Sequence, residues 1–410
     1  RHANIQNVLR FKDRYYTNIL DYIPDHVTEK IFFVPNIQIK KKLNSILKIA
    51  DKAEEQFLYK FDFLQIKDFL YALFSPFRIK RIQLHGFTYK GIKIGPILSS
   101  DFKKNISNTS SFNGILNYLF FKRLKEENVK LGFVVNWFEN QVIDRGFNKG
   151  KNTFYPGTPS VGYQGFIIPR DFNFYTIPTE LELKTKQIPN KIAVIGKEIL
   201  NDLKILTSKI NVITAPAFRF SYLHNQELKK KQFRNVKPRI LVALPISVSG
   251  SSDILKLIIE YNNIKIDNFI KWIIKPHPSL NISKLKKLTP EWDDSFEVFY
   301  ENFYESIRQA DLMVGNSSST CMESLVYGVP VIIAGSRSGF TQNPIPESVP
   351  KIMWDISYTV DEFTNTLDKL LLQADEKLKR EQRKMGDQIR SDYFEPVTEK
   401  GVRKFLNLHQ

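Results

Sequence analysis

The pattern of apolar and polar positions changes partway along the chain. Over the first ~80 residues, basic and aromatic positions surround apolar ones, as in Phe57-Leu58-Tyr59-Lys60-Phe61, and the spacing predicts helices. Short apolar runs separated by helical patterns follow. Leu131 to Trp137, Ser160 to Ile168, Ile192 to Ile195 and Asn211 to Thr214 read as strands, the first preceded by an amphipathic helix around Asn117 to Glu127. His224 to Arg239 is polar and Lys-rich and contains Pro238, the composition of an interdomain linker. Beyond it, Ile240 to Leu244 predicts a strand, Ser247 to Ser252 a loop, and Asp253 to Tyr261 a helix. Trp272 to Lys275 predicts a strand that ends in Pro276-His277-Pro278. Phe296 to Tyr300 predicts a strand, Phe303 to Ala310 a helix, and Leu312 to Val314 a strand ending at Gly315-Asn316. A helix then begins at Ser317-Ser318-Ser319, stops at Gly328, and Pro330 to Ala334 returns as a strand. Strands that alternate with helices predict parallel sheets with crossovers. The expected fold is therefore α/β in two domains: residues 1–225, a linker over 226–238, and a second domain over 239–385. A C-terminal helix over 386–410 is the candidate to pack back on the first domain.

Length agrees with that division, since 410 residues exceed one ordinary core and suit two of about 200. A single cysteine, Cys321, rules out an intramolecular disulfide and argues against a cysteine metal site. No apolar run approaches the ~20 residues needed to span a bilayer. The expectation is a cytoplasmic setting, with the inner face of a membrane as the alternative location. The chain opens with Arg1-His2-Ala3 rather than Met, as an excised piece of a longer protein would, which leaves an upstream targeting signal open. The net charge of +17 calls for a polyanionic partner, whether nucleic acid, an anionic membrane surface or a phosphorylated substrate, unless it is only a solvated Lys-rich surface. The basic clusters at 40–42, 78–81 and 229–231 are scattered, the last lies in the linker, and no nucleic-acid motif is present.

Two motifs carry chemistry. In Gly315-Asn316-Ser317-Ser318-Ser319-Thr320, a strand, a Gly turn and three serines lead into a helix. Unpaired N–H groups and hydroxyls at such a start suit a phosphate, whereas a cap alone needs one serine. Glu323 lies four residues after Ser319, on the same helix face, where a carboxylate could accept both hydroxyls of a ribose; a solvated glutamate is the plain alternative. In Lys275-Pro276-His277-Pro278, two prolines stiffen the backbone around an imidazole able to bond or protonate a departing phosphate, and Lys275 adds charge. Alone, that histidine reads as structural. The order His-Pro, then ~40 residues, then a serine helix start favours the functional reading.

With these motifs in hand, residues 238–370 resemble the C-terminal domain of GT-B glycosyltransferases. Lys275 to Pro278 with Ser317-Ser318 resembles the paired His-Pro and Ser-Ser/Thr motifs of bacterial sialyltransferases and polysialyltransferases, which capsule Kdo transferases and teichoic-acid glycerophosphotransferases share in related form. Asn211 to Leu223, including Ala217-Phe218-Arg219, resembles the segment where such enzymes leave the first domain. The resemblance implies two Rossmann-like, doubly wound domains facing a cleft, with extra N-terminal helices here. It also implies a CMP-sugar or CDP-polyol donor, with Lys275, His277, Pro278, Gly315, Asn316, Ser317, Ser318, Ser319 and Glu323 on the nucleotide side.

The first half resembles those families less. Its most loaded stretch is Trp137-Phe138-Glu139-Asn140-Gln141 with Asp144-Arg145, at the end of a predicted strand. Glu139 is the candidate general base and Asp144 the reserve, against the alternative that a carboxylate pairs with Arg145 or caps a helix. Gly162-Tyr163-Gln164-Gly165 either lines the acceptor side or is a plain turn. The chain lacks a Walker P-loop, a Gly-x-Gly-x-x-Gly run and an Asp-x-Asp metal motif, so a metal-independent transferase without a cofactor is expected. The reading is a glycosyltransferase moving an acidic sugar, such as a nonulosonic acid or Kdo, onto a glycan or lipid-linked acceptor in capsule or lipopolysaccharide biosynthesis. The rivals are a CDP-polyol or UDP-sugar transferase, a GT-B-type sugar-nucleotide epimerase, and a nucleic-acid-binding protein.

Overall fold

The computed structural model of the chain describes residues 13, 15–35, 53, 55–80, 82–167, 176–206, 208–224, 237–265, 269–289, 292, 296–337 and 339–408. The expected linker over 226–238 lies outside them except for its last two residues, as do the basic clusters at 40–42 and 229–231 and the end of the strand expected to reach Ile168.

Two parallel sheets dominate. The first has four strands in sequential order: β1 (Val134–Trp137), β2 (Ser160–Gln164), β3 (Lys191–Val194) and β4 (Val212–Thr214). The second has six: β5 (Arg239–Leu244), β6 (Lys271–Pro276), β7 (Glu297–Val298), β8 (Leu312–Gly315), β9 (Val331–Ala334) and β10 (Trp354–Ser357), in the order β7-β6-β5-β8-β9-β10. That order is the doubly wound one, with helices required on both faces. Side-chain alternation confirms it. Leu241, Ile273, Met313, Val331 and Ile333 join the core that continues into the first sheet, while Ile240, Val242, Ile274, Leu312, Val314 and Ile332 face a separate one. Both faces of these strands are buried, which explains why they read as continuous apolar runs.

Five helices matter for the site: α1 (Thr109–Glu126), α2 (Val142–Phe154), α3 (Val248–Ile264), α4 (Thr320–Val326) and α5 (Glu376–Tyr393). The α1/α2 pair packs at a glycine crossing, where a Cβ on Gly146 would fall 2.0 Å from the Gly114 carbonyl oxygen. The last segment crosses back to the first sheet, and Phe405 packs there at ring-centroid distances of 5.4 Å from Tyr163 and 5.6 Å from Phe218.

Several expectations need correction. The early region is less helical than its periodicity predicts: its described helices are short, and Phe32–Phe33 pairs in parallel with Gln56–Phe57. The serines at 247–252 are not a loop but the first turns of α3. Ser247 caps it by accepting the Gly250 N–H at 3.3 Å, Ser251 Oγ donates to the Pro245 carbonyl, and Ser252 bonds Thr289. Serine composition signals a loop only until hydroxyls find a cap and partners. The strand β10 and the helix α2 escaped the sequence reading.

The helix Ile66–Leu73 packs on α1. Its buried side carries a carboxylate. Asp68 accepts from Arg123 Nε at 2.8 Å and Nη2 at 2.6 Å, and both side chains are about 5% exposed. The guanidinium holds the Asp68 carboxyl below its usual range. The pair's stabilisation is therefore present above the unfolded pKa and lost as pH falls through the folded one. Removing one partner strands a buried charge. Asp68→Ala is expected to cost about 3–5 kcal/mol in urea unfolding, with Asp68→Leu/Arg123→Met recovering most of the loss. Equal losses in both variants would show that the pair contributes only packing.

Candidate functional site

The second sheet reverses its order between β5 and β8, and ligands of such sheets bind beyond the carboxyl ends of the strands at that point. Three segments meet there. Ser247–Gly250 follows β5, His277–Ser279 follows β6, and Asn316–Ser319 follows β8. The first and third touch: a Cβ on Gly250 would lie 3.1 Å from Asn316 Nδ2, so glycine lets the start of α3 approach the serine turn. The second is tied to β5, because the His277 N–H donates to the Leu244 carbonyl at 3.1 Å. The His277 ring is exposed, and its Nδ1 accepts the Ser279 N–H at 3.1 Å. An accepting Nδ1 assigns the neutral ring's proton to Nε2. Pro278 is exposed beside it.

The three serines do different things. Ser317 is exposed and its hydroxyl reaches Asn316 Oδ1 at 3.3 Å. Ser318 Oγ accepts the Thr320 N–H at 3.3 Å, and Ser319 Oγ donates to Glu323 Oε1 at 3.1 Å. Gly315 is the buried last residue of β8. Cys321 is buried, with its thiol donating to the Asn316 carbonyl at 3.1 Å, and burial pushes that thiol's pKa well up.

Two further residues expected on the nucleotide side also bond within the protein. Lys275 donates to the Glu301 carbonyl, and burial lowers its pKa. Glu323 is 5% exposed and accepts the Tyr222 hydroxyl from the segment leaving the first sheet. Burial raises the Glu323 pKa against the opposing pull of Tyr222, Arg219 and Ser319. The solvated glutamate of the plain alternative is thus not what the structure holds. No local pattern signals Tyr222, which meets Glu323 across 101 residues. The first turn of α3 was signalled by Ser247 standing three residues before Gly250, a capping spacing.

On the first sheet, Glu139 follows β1 in a half-buried position. Its Oε1 accepts Trp137 Nε1 and its Oε2 accepts Gln141 Nε2, both at 2.6 Å. Asp144 sits in the first turn of α2 and accepts the backbone N–H of Glu139 at 2.9 Å and of Gln141 at 3.1 Å. The expected alternative pairing with Arg145 is corrected: Arg145 pairs with Glu182 at 2.6 Å, and Asp144 caps α2. Desolvation, reinforced by the neighbouring Glu139 charge and opposed by those two N–H bonds, raises Asp144 to about 6. Gly162 to Gln164 neither line an acceptor side nor form a turn. They are buried strand, with the Tyr163 hydroxyl on the Pro216 carbonyl and Gln164 on that of Thr176.

A cavity of ≈ 180 Å³ lined by Tyr261, Phe269 and Trp272 lies at the amino end of β6, opposite His277, and has no part in this arrangement. No helix among the described residues is long and apolar enough to cross a membrane.

No family model matches the sequence, and no curated protein matches it significantly. Solved structures match in fold. CalG4, the calicheamicin glycosyltransferase, aligns at a TM-score of 0.51 over 92% of this chain and 91% of its own, with 11% identity. The S. aureus MnaA–UDP structure aligns at 0.49 over 90% and 94%, with 14% identity. The UDP-GlcNAc 2-epimerase from Neisseria meningitidis bound to UDP-GlcNAc aligns at 0.47 over 90% and 94%, with 12% identity. The likeness is one of fold: two Rossmann-like domains of the GT-B type.

The raised Asp144 pKa has a measurable sign. The folded state holds that proton more tightly than the unfolded chain, so this contribution to stability is present at low pH and is lost as pH rises through about 6. Asparagine keeps the accepting oxygen and removes the titration. The melting temperature of Asp144→Asn relative to the parent is expected to climb from pH 4 to pH 7, roughly tracking that proton. A flat difference across the range would show that Asp144 is not perturbed.

Proposed function

We propose that this chain is a glycosyltransferase whose nucleotide-sugar donor sits at the order reversal of the second sheet. The observation that carries the reading is the meeting of an exposed His277, the start of α3 and the Asn316–Ser317 turn at adjacent strand ends. Backbone N–H groups and hydroxyls there suit a phosphate, and the Nε2 proton of His277 suits the oxygen on which charge develops as the sugar–phosphate bond breaks. Pro278 stiffens that histidine, while Gly315, Ser318 and Ser319 shape the turn. Protein donors take the role a cation fills elsewhere, so the reaction needs neither metal nor cofactor. Glu323 approaches the ribose only after its Tyr222 and Ser319 bonds are exchanged, and Lys275 contributes charge at a distance.

The first domain supplies the base. An acceptor hydroxyl is a weak nucleophile at neutral pH, and Glu139 takes its proton as oxygen attacks the anomeric carbon. Asp144 positions Glu139 by holding its backbone N–H. The His-Pro and Ser-Ser resemblance favours a CMP-activated acidic sugar, delivered to a glycan or lipid-linked acceptor of a surface polysaccharide at the cytoplasmic side. CalG4, which shares the fold, is a glycosyltransferase by name, which supports the reaction class but not the donor.

A thermal-shift panel of CMP, CDP, UDP, GDP and ADP tests the donor. CMP or CDP at ~100 times its dissociation constant is expected to stabilise the fold by about 2.7 kcal/mol. A shift with UDP alone would move the reading to a UDP-sugar transferase or epimerase, and a shift with purines alone would defeat it. His277→Ala is expected to cut turnover by about 10²-fold with the fold intact. Glu139→Gln should abolish transfer while donor binding survives, and Asp144→Asn should be milder. Near-parental transfer by Glu139→Gln would reject the base assignment.

A further inference from the structure

The helix Ile66–Leu73 and the helix Ser75–Ile79 after it present their apolar side outward. Ile66 is 81% exposed, Phe77 is 69% exposed, and Leu70, Leu73 and Phe74 are each about half exposed. Positions 66, 70 and 73 follow the helical period and form one stripe, which the exposed Phe74 between the helices and Phe77 on the next one extend. The opposite side, which faces α1, carries the buried Asp68 and Ala72. An amphipathic helix normally buries its apolar side, and this one is held the other way round. Its orientation is fixed by the two-bond pairing of Asp68 with Arg123, because rotation to bury Ile66 and Leu70 would break a buried ion pair.

We propose that this stripe seats the protein on an anionic lipid surface. Charge selects the occupant. Residues 66–104 hold eight Lys or Arg and two Asp, one of which is the Asp68 already neutralised by Arg123. Lys67, Arg78 and Lys80 are exposed along the stripe, and the Arg78 guanidinium lies 3.8 Å from the Tyr71 ring centroid. Apolar side chains flanked by cations match acyl chains beneath acidic headgroups. A second copy docked stripe to stripe would bring two basic borders together, which like-charge repulsion opposes. The inference stands apart from the donor site, and circular dichroism is its control for a folded protein.

The test is flotation of the full chain with phosphatidylcholine vesicles and with vesicles containing about one third phosphatidylglycerol. Binding is expected only to the acidic vesicles and should weaken as salt rises. Leu70→Gln/Phe77→Gln changes solvent-facing positions without changing charge and should lower the bound-to-free ratio at least ~10-fold. Lys67→Glu/Lys80→Glu should lower it by at least ~25-fold, since each basic residue at such a surface is worth about fivefold. Lys284→Glu/Lys287→Glu makes the same charge change on an exposed helix of the second sheet's domain and should retain binding within about twofold. Parental flotation by the glutamine variant, or equal losses in the two charge variants, overturns the proposal. So does light scattering that shows a dimer dissolved by Leu70→Gln/Phe77→Gln. If the glutamine variant fails to fold by circular dichroism, the two charge variants decide.

Discussion

Glu395 joins the two halves of the molecule through its backbone. Its N–H donates to the Ile195 carbonyl at 2.6 Å, just past β3, and its carbonyl accepts the Ala217 N–H at 2.8 Å, just past β4. The preceding residue repeats the attachment, with the Phe394 carbonyl 2.8 Å from His224 Nε2. These bonds sit at the end of α5, whose Gln382 bonds the Ile352 and Leu370 carbonyls of the second half. One helix is thus fastened to one sheet along its length and to the other at its tip. The relative placement of the first-sheet carboxylates and the second-sheet loops at His277 and the serine turn follows from that attachment. A core shared by Phe138, Met313 and Phe405 fills the space between. The Tyr222–Glu323 bond is a second link across the same junction and lies nearest the serine turn.

Acidic groups in this protein show how environment rather than identity sets behaviour. Asp68, Asp144 and Glu323 are all withdrawn from water. Asp68 meets a guanidinium and stays ionised, so its burial becomes a structural anchor. Asp144 meets backbone N–H groups and a neighbouring carboxylate, and desolvation wins. Glu323 meets hydroxyls, which favour its charged form less than burial disfavours it. The same side-chain type is thus pushed one way by a cation and the other way by enclosure without one.

Most strands of the second sheet were legible because burial on both faces leaves an apolar run that needs no periodicity to read. The His-Pro and serine motifs were legible as places, since each stands at a strand end. What each side chain bonds was not. Lys275 turning to Glu301, and Tyr222 reaching Glu323, depend on contacts across 26 and 101 residues that no local pattern encodes. Serine-rich 247–252 misled because the same residues suit loops and helix starts, and only Ser247's bond to the Gly250 N–H decides. Arg145 next to Asp144 suggested a pair, but neighbours in a helix point to different faces. The apolar, basic character of the early region was plain in the sequence; which way it faces was set by Arg123, a partner 55 residues away.

The lone cysteine lies in the first turn of α4, directly after the serine turn, fully enclosed, with its thiol on the Asn316 carbonyl and its ionisation suppressed. A thiol reagent needs both access and thiolate, and the closed turn denies both. A thiol reagent therefore has one address in this chain, reached when the structure around the turn that is proposed to hold the donor opens. The labelling rate under native conditions becomes a clock for that local opening, read without introducing any probe. Whatever stabilises the turn slows the clock in proportion.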